Sequence, residues 1–380
     1  MLDIFYFRSW AVFCAAQLVI SLGILINIIA KRIPGVEVLR VFAIFMVVLI
    51  HSTPEYTNGS GTNLAALILQ SVSRAGFISF FLISGYFALN EKIVSLKKYY
   101  YNRIVTIVIP FLFYAYIHYF MVHYDFGRSA NALSGFFSIT TLADFLHAVV
   151  IGPAFNGSMF VSLHFWFIYW IVGAYAVVPF VGYIIQRIEP SSRLKSIAFL
   201  LGVSWLHLYV NRYFPNANII SIPFIADGWF VYFLIGGLLY GLELNKYRKY
   251  AFVCCAIGYV LTVFLTWFNF SMLSIYQAPY GIDINMVLCV CGFFIIFQTL
   301  RESFLTTWVA KASKYTYGIY LTHVFMMYFI SGYTKTATSS VIANSVLTAV
   351  VAFTLALIFC FIFDNLFIFK LIRKLKLSNA

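Results

Sequence analysis

Apolar residues run along the 380-residue chain in blocks, separated by short polar or basic stretches. Such blocks, at about 20 residues, match the helical length that crosses the hydrocarbon core of a bilayer. Eleven segments stand out: 9–30, 36–53, 63–90, 104–124, 161–185, 196–210, 226–243, 250–268, 284–300, 315–332 and 340–366. The pattern predicts an all-α polytopic membrane protein. The stretch from Trp10 to Ala30 is too long for the apolar part of a secretory signal and no A-x-A site follows it, so it is read as a membrane helix.

Composition sharpens this picture. Hydrophobic residues make up 63% of the chain and charged residues only 10%, which excludes an ordinary soluble domain. The net charge of +13 is explained by cytoplasmic loops, and no basic tract is long enough for nucleic acid. Placing the amino terminus outside and the carboxy terminus in the cytoplasm leaves 19 of the 25 Lys and Arg residues in cytoplasmic segments. The connection from Asp125 to Phe160 is then external, and its apolar stretch Thr141 to Gly152 is expected to re-enter or lie on the membrane. All six cysteines lie within apolar runs, with no C-x-x-C pair and no His at ligand spacing, so neither a disulfide framework nor a metal site is indicated. No fixed-period repeat is visible and the two halves do not align as inverted repeats, which argues against a secondary transporter.

A few polar residues inside the apolar segments carry the chemistry. A charged side chain in hydrocarbon costs about 2.5–3.5 kcal/mol even on the lenient insertion scale, so each needs a partner or a function. The second segment carries Arg40 near its cytoplasmic end and His51 near its outer end. Eleven residues at ~100° each come within roughly 20° of three full turns, so the two share a helix face at an axial separation of about 16 Å. The bland alternative has Arg40 snorkelling to the interface to pair with Glu37 while His51 caps the helix before Pro54. Arg74 weakens that alternative, because it lies well inside the next segment, where snorkelling is harder.

Beyond Arg74, Ser84 and Gly85 form a small step among bulky aromatics, permitting close approach of a helix or a ligand. The basic run Lys92, Lys97, Lys98 and Arg103 follows, suited to an anionic nucleotide from the cytoplasm. His164 and His323 sit in aromatic settings, where an interhelical hydrogen bond is the plainer role. Asp227, Asp283 and Asp364 lie at or near segment ends as helix-end or packing groups. Glu55 and Asp283 both fall outside, where a carboxylate beside His51 would hold its tautomer.

Taken together, these segments resemble the acyltransferase family 3 membrane proteins. The resemblance spans residues 36 to about 330 and rests on five features in order. They are Arg40-x10-His51, Ser71-x-Ser-Arg with Phe80-Phe-x-x-Ser-Gly-Tyr86, the basic Arg103 to Pro110 segment, His164-x-Trp166-Phe with Pro179 beyond, and Tyr317-Gly-Ile-Tyr-x-x-His323. It implies a ten-helix core, acyl-CoA as donor, glycans of the cell envelope as acceptors, and His51 as the catalytic histidine. The chain departs from the family pattern by an extra N-terminal transmembrane helix (residues 1–33, against a membrane domain over 34–380) and by lacking a carboxy-terminal hydrolase-like domain.

The expectation is therefore an O-acyltransferase of a bacterial cytoplasmic (inner) membrane. It moves an acetyl or similar short acyl group from acetyl-CoA to a hydroxyl of a lipid-linked or exported glycan, with no permanently bound cofactor. Arg40, Ser84, Gly85, Lys97, Lys98 and Arg103 are assigned to the donor. His51, Arg40 and Arg74 are assigned to catalysis, with His51 as base or acyl carrier and Arg74 or His323 at the oxyanion. His164, Trp166, His323 and Glu55 are assigned to the acceptor. The rival reading is an exporter of glycan intermediates, in which the same Arg and His bind substrate phosphates or relay protons.

Overall fold

A computed structural model describes residues 33–58, 61–123, 136, 138–151, 161–214, 228–273 and 278–378. The 9–30 segment and Asp227 lie outside them. Helix α1 spans Pro34–Ser52. Pro34 occupies its first turn, where the missing N–H costs nothing. The helix ends because Pro54 disfavours helical geometry at Thr53, which turns extended (φ −90°, ψ 133°). A two-residue hairpin, β1 (Thr57–Asn58) and β2 (Gly61–Thr62), leads into α2 (Leu64–Ser73), capped by the Asn63 side chain accepting from the Ala66 N–H at 3.1 Å. Arg74 separates α2 from α3 (Ala75–Ala88), so the segment expected as one helix is two short ones with the arginine at the joint.

Helix α4 (Leu96–Arg103) passes through a π-helical turn, Ile104–Val108, into α5 (Ile109–His123). The stretch expected to re-enter or lie on the membrane is helix α6 (Ile139–Ile151), which packs Phe145 against Tyr116 and Tyr119 of α5. A 3₁₀ turn, Leu163–Phe165, opens α7 (Trp166–Ile185), followed by α8 (Pro190–Tyr213), α9 (Gly228–Leu239), α10 (Arg248–Ser271) and α11 (Ile284–Gln298). Then come α12 (Phe304–Ala312), α13 (Thr316–Thr334) and α14 (Val341–Phe363), the last continuing through a second π-helical turn, Asp364–Ile368, into α15 (Phe369–Leu377). Among the described residues, seven helical stretches are long and apolar enough to cross a membrane.

Two hydrophobic clusters meet on α1. Val36 and Leu39 pack into one with α3, α7, α8, α9 and α11, while Ile44, Val47, Val48 and Leu49 pack into the other with α5, α7, α13 and α14. The helix that carries Arg40 and His51 is thus enclosed on several sides. Lipid tails are as apolar as leucine, so close backbone approach rather than water exclusion holds such a bundle together. A Cβ added at Gly85 would lie 1.8 Å from the Phe233 carbonyl oxygen, and one at Gly236 would lie 2.0 Å from that of Leu82, so α3 and α9 touch backbone to backbone. The Ser84-Gly85 step is therefore divided. Gly85 is where α3 meets α9, and Ser84 beside it lines the cavity around Arg40.

At the His51 end, Arg212 of α8 and Asp283 at the start of α11 form a bidentate ion pair at 2.5 and 3.3 Å, with side chains only 5% and 2% exposed. Trp205 Nε1 donates to the Ile282 carbonyl at 2.9 Å and Tyr232 Oη to that of Gly281 at 3.0 Å, so the loop before α11 is tied down on both sides. Asp283 is thereby committed to Arg212 and is not the orienting carboxylate of His51.

Two consequences are measurable. Gly85→Ala should destabilise the protein by about 1–3 kcal/mol, because the obstacle is backbone that cannot rotate away. Its abundance and detergent melting temperature should both fall, whereas a ligand-contact role would leave both unchanged. Asp283→Ala should cost about 3–5 kcal/mol by leaving the Arg212 guanidinium buried without a counter-charge. Combining Arg212→Met with Asp283→Leu should restore much of the lost melting temperature.

Candidate active site

The chemistry-bearing residues separate into two groups, one at each half of α1. Around Arg40 is a cavity of about 250 Å³ whose lining includes Arg40, Ser84, Arg103, Tyr175, Tyr317 and Tyr320. Pockets for whole drug-sized ligands run to about 300–1,000 Å³, so this one suits a narrow arm of a larger molecule. Arg40 forms no ion pair or hydrogen bond among the described residues, its Nε is buried, and its guanidinium carbon lies 5.4 Å from the Phe87 ring. The Glu37 pairing offered as the bland alternative is absent. Arg103 stacks between Tyr99 (4.9 Å) and Tyr175 (4.7 Å) and is ion-paired with Glu91, and its Nε too is buried without a partner. The Tyr317 hydroxyl donates to the Ile107 carbonyl, in the π-helical turn after Arg103, at 2.9 Å, which fixes that ring in the cavity wall.

Around His51 the structure gathers histidines from distant parts of the chain. The His51 ring lies 5.2 Å from that of His323 and 6.5 Å from that of His164; His164 lies 5.3 Å from His323 and 5.2 Å from His118 of α5. His323 Nδ1 is 2.7 Å from the Tyr320 carbonyl oxygen and 3.2 Å from that of Ile319. Both are acceptors, so Nδ1 carries the proton and Nε2 presents a lone pair, and this buried Nε2 has no partner. His164 Nδ1 meets the Ser162 hydroxyl at 2.5 Å, and its Nε2 is likewise buried without a partner. His51 itself is exposed. No group of three His, Cys, Asp or Glu among the described residues is placed to hold a metal ion.

Arg74 stands beside this cluster. It donates to Gln70 Oε1 at 2.9 Å and lies 4.7 Å from the Tyr280 ring. Gln70 Nε2 in turn reaches the carbonyls of Ile50 (3.3 Å) and Thr53 (3.4 Å), which flank His51. Tyr320 links the two groups. Its ring lines the Arg40 cavity, lies 6.0 Å from His164 and 5.9 Å from His323, and its hydroxyl donates to the His164 carbonyl. Tyr317, Tyr320 and His323 follow at three-residue steps along α13, rising about 9 Å beside α1.

A profile of acyltransferase family 3, described as an acyltransferase domain, matches residues 33–364, well over half of the chain. The chain belongs to this family. No characterised relative and no solved structure matches it. This membrane acyltransferase brings Arg40, Ser84 and Arg103 to one cavity and His51, His164, His323 and Arg74 to the other group. It leaves Lys97 and Lys98 exposed on α4 and away from the cavity lining. Trp166 packs into an aromatic nest with Phe77 (5.9 Å), Phe81 (6.2 Å) and Trp229 (5.9 Å). Glu55 is exposed and makes no hydrogen bond or ion pair with His51. The surroundings of His51 are histidines where a carboxylate was expected.

His118, Tyr175 and Glu91 were missed as site residues. His118 was within reach, because an ionisable group in an apolar segment is the same signal that singled out Arg40. Glu91 gave none, since it lies in a polar connection. His323→Phe keeps ring volume but removes Nε2, so acyl transfer in this acyltransferase should fall by ~10²-fold or more with abundance unchanged. Turnover near the wild-type rate would reduce the histidine to packing.

Proposed function

We propose that the protein is an O-acyltransferase taking an acetyl or similar short acyl group from acyl-CoA at the cytoplasmic face of a bacterial inner membrane. The acceptor is a hydroxyl of a lipid-linked or exported envelope glycan that approaches from the outer side. The observation that supports this most directly is the arrangement along α1 and α13. A narrow cavity holding two guanidiniums with unsatisfied Nε donors is joined by Tyr320 to a cluster of histidines. Unpartnered buried guanidinium donors are costly unless an anion completes them, and a phosphate-bearing donor supplies one. The cavity size suits the pantetheine arm, with the nucleotide left at the mouth.

In this reading His51, exposed toward the acceptor, takes the proton from the sugar hydroxyl as its oxygen attacks the thioester carbonyl. The oxyanion that forms faces Arg74 or the cluster, and the C–S bond then breaks. The CoA thiolate recovers the proton from His51 and leaves as the thiol, so the ester forms with no net proton change. The unpartnered Nε2 of His323, whose ring lies 5.2 Å from that of His51, takes in this reading the orienting part that a carboxylate plays in other base pairs.

Mass spectrometry of envelope glycans, with and without the protein, should reveal an ester-labile acyl group that depends on it. His51→Ala and Arg40→Ala should each abolish that group while abundance stays near normal. Arg40→Lys should fail as well, since an ammonium cannot reproduce the planar fork. An active His51→Ala protein would overturn the mechanism, and an unmodified glycan in every strain would overturn the substrate class.

A further inference from the structure

The two arginines of the cavity are not equivalent. Arg40 has no counter-anion, whereas Arg103 already has one in Glu91. The backbone around Glu91 is held firmly. Gln186 Nε2 donates to the carbonyls of Leu89 at 2.9 Å and Glu91 at 3.3 Å, and Asn90 Nδ2 donates to those of Tyr86 (3.1 Å) and Gly237 (3.0 Å). Its side chain is looser, with 42% exposure against 27% for Arg103. The guanidinium is pinned between Tyr99 and Tyr175, so in any exchange of partners the carboxylate is the group that moves. A single-contact pair with both side chains partly exposed to water is weak, and a phosphate brings more charge and more acceptor oxygens to a guanidinium than one carboxylate does.

The geometry points to Glu91 as a built-in competitor for Arg103, a carboxylate that the phosphates of the donor displace on entry and that reclaims the guanidinium when the product leaves. Glu91 thereby sets donor affinity at the cavity mouth and holds down retention of the spent carrier. The inference rests on the acyl-CoA reading and adds to it a residue that weakens binding on purpose. It is a positioning role exerted through Arg103, without contact to the reacting atoms.

The test is calorimetric titration of CoA into the purified full-length protein, together with KM and kcat for acetyl-CoA. Glu91→Gln should bind CoA about two- to fivefold more tightly, the range a partly exposed ion pair supports. KM for acetyl-CoA should fall by a similar factor without a rise in kcat. In an Arg103→Gln background the Glu91→Gln change should add nothing, because both act through one contact. Acetyl-pantetheine, which has no nucleotide phosphates, should be insensitive to Glu91→Gln, and this arm stands even if the Arg103 variant is poorly folded. Unchanged or weaker CoA binding in Glu91→Gln, with normal binding in the wild type, overturns the inference alone. A wild-type protein that binds no CoA overturns the donor reading and the inference together.

Discussion

A guanidinium without a counter-ion inside an apolar bundle is the constraint around which this structure is organised. Arg40 is carried on α1 with its Nε buried and no carboxylate in contact, and lipid offers it nothing. The chain answers by enclosing α1 with other helices, so that Arg40 faces a cavity and the aromatic ring of Phe87. Cation–π contact lowers the cost without neutralising the charge, which leaves the site receptive to an anion. The same device recurs at Arg103 with Tyr99 and Tyr175, and at Arg74 with Tyr280.

Holding these groups in place without a hydrophobic force between helices requires contacts of other kinds. Backbone-to-backbone contact at Gly85 and Gly236 joins α3 to α9, and the buried Arg212–Asp283 pair joins α8 to the start of α11. The π-helical turn after Arg103 belongs to the same scheme, because the carbonyl of Ile107 anchors Tyr317. Rigidity at the cavity wall and an open, exposed His51 at the other end make one assembly with two distinct environments.

The histidine cluster is assembled by long-range packing. His51, His118, His164 and His323 come from α1, α5, the turn before α7 and α13, and their rings sit 5.2–6.5 Å apart along the chain of neighbours. The protonation pattern of His323 is set by its own helix, whose carbonyls at Ile319 and Tyr320 accept from Nδ1 and turn the lone pair of Nε2 outward. Local helix geometry thus sets the tautomer of His323, while the rings around it come from helices far away in sequence.

Much of this was legible in the residues alone. The membrane segments are set by hydrophobic length, and ten of the eleven coincide with helices, the remaining one lying outside the described residues. The common face of Arg40 and His51 follows from the helical repeat, because both lie on one unbroken helix and no tertiary contact is needed to align them. Partners across helices were not legible, since nothing in the local repeat says which helix meets which. Only the fold assigned Gly85 to Phe233, Asp283 to Arg212 and Trp166 to its aromatic nest, and only the fold put Glu91 on Arg103 and histidines around His51. Sequence determines what depends on neighbours within a turn or two of helix. The identity of each buried group's partner depends on how closely whole helices approach, and that is settled by packing of the entire bundle.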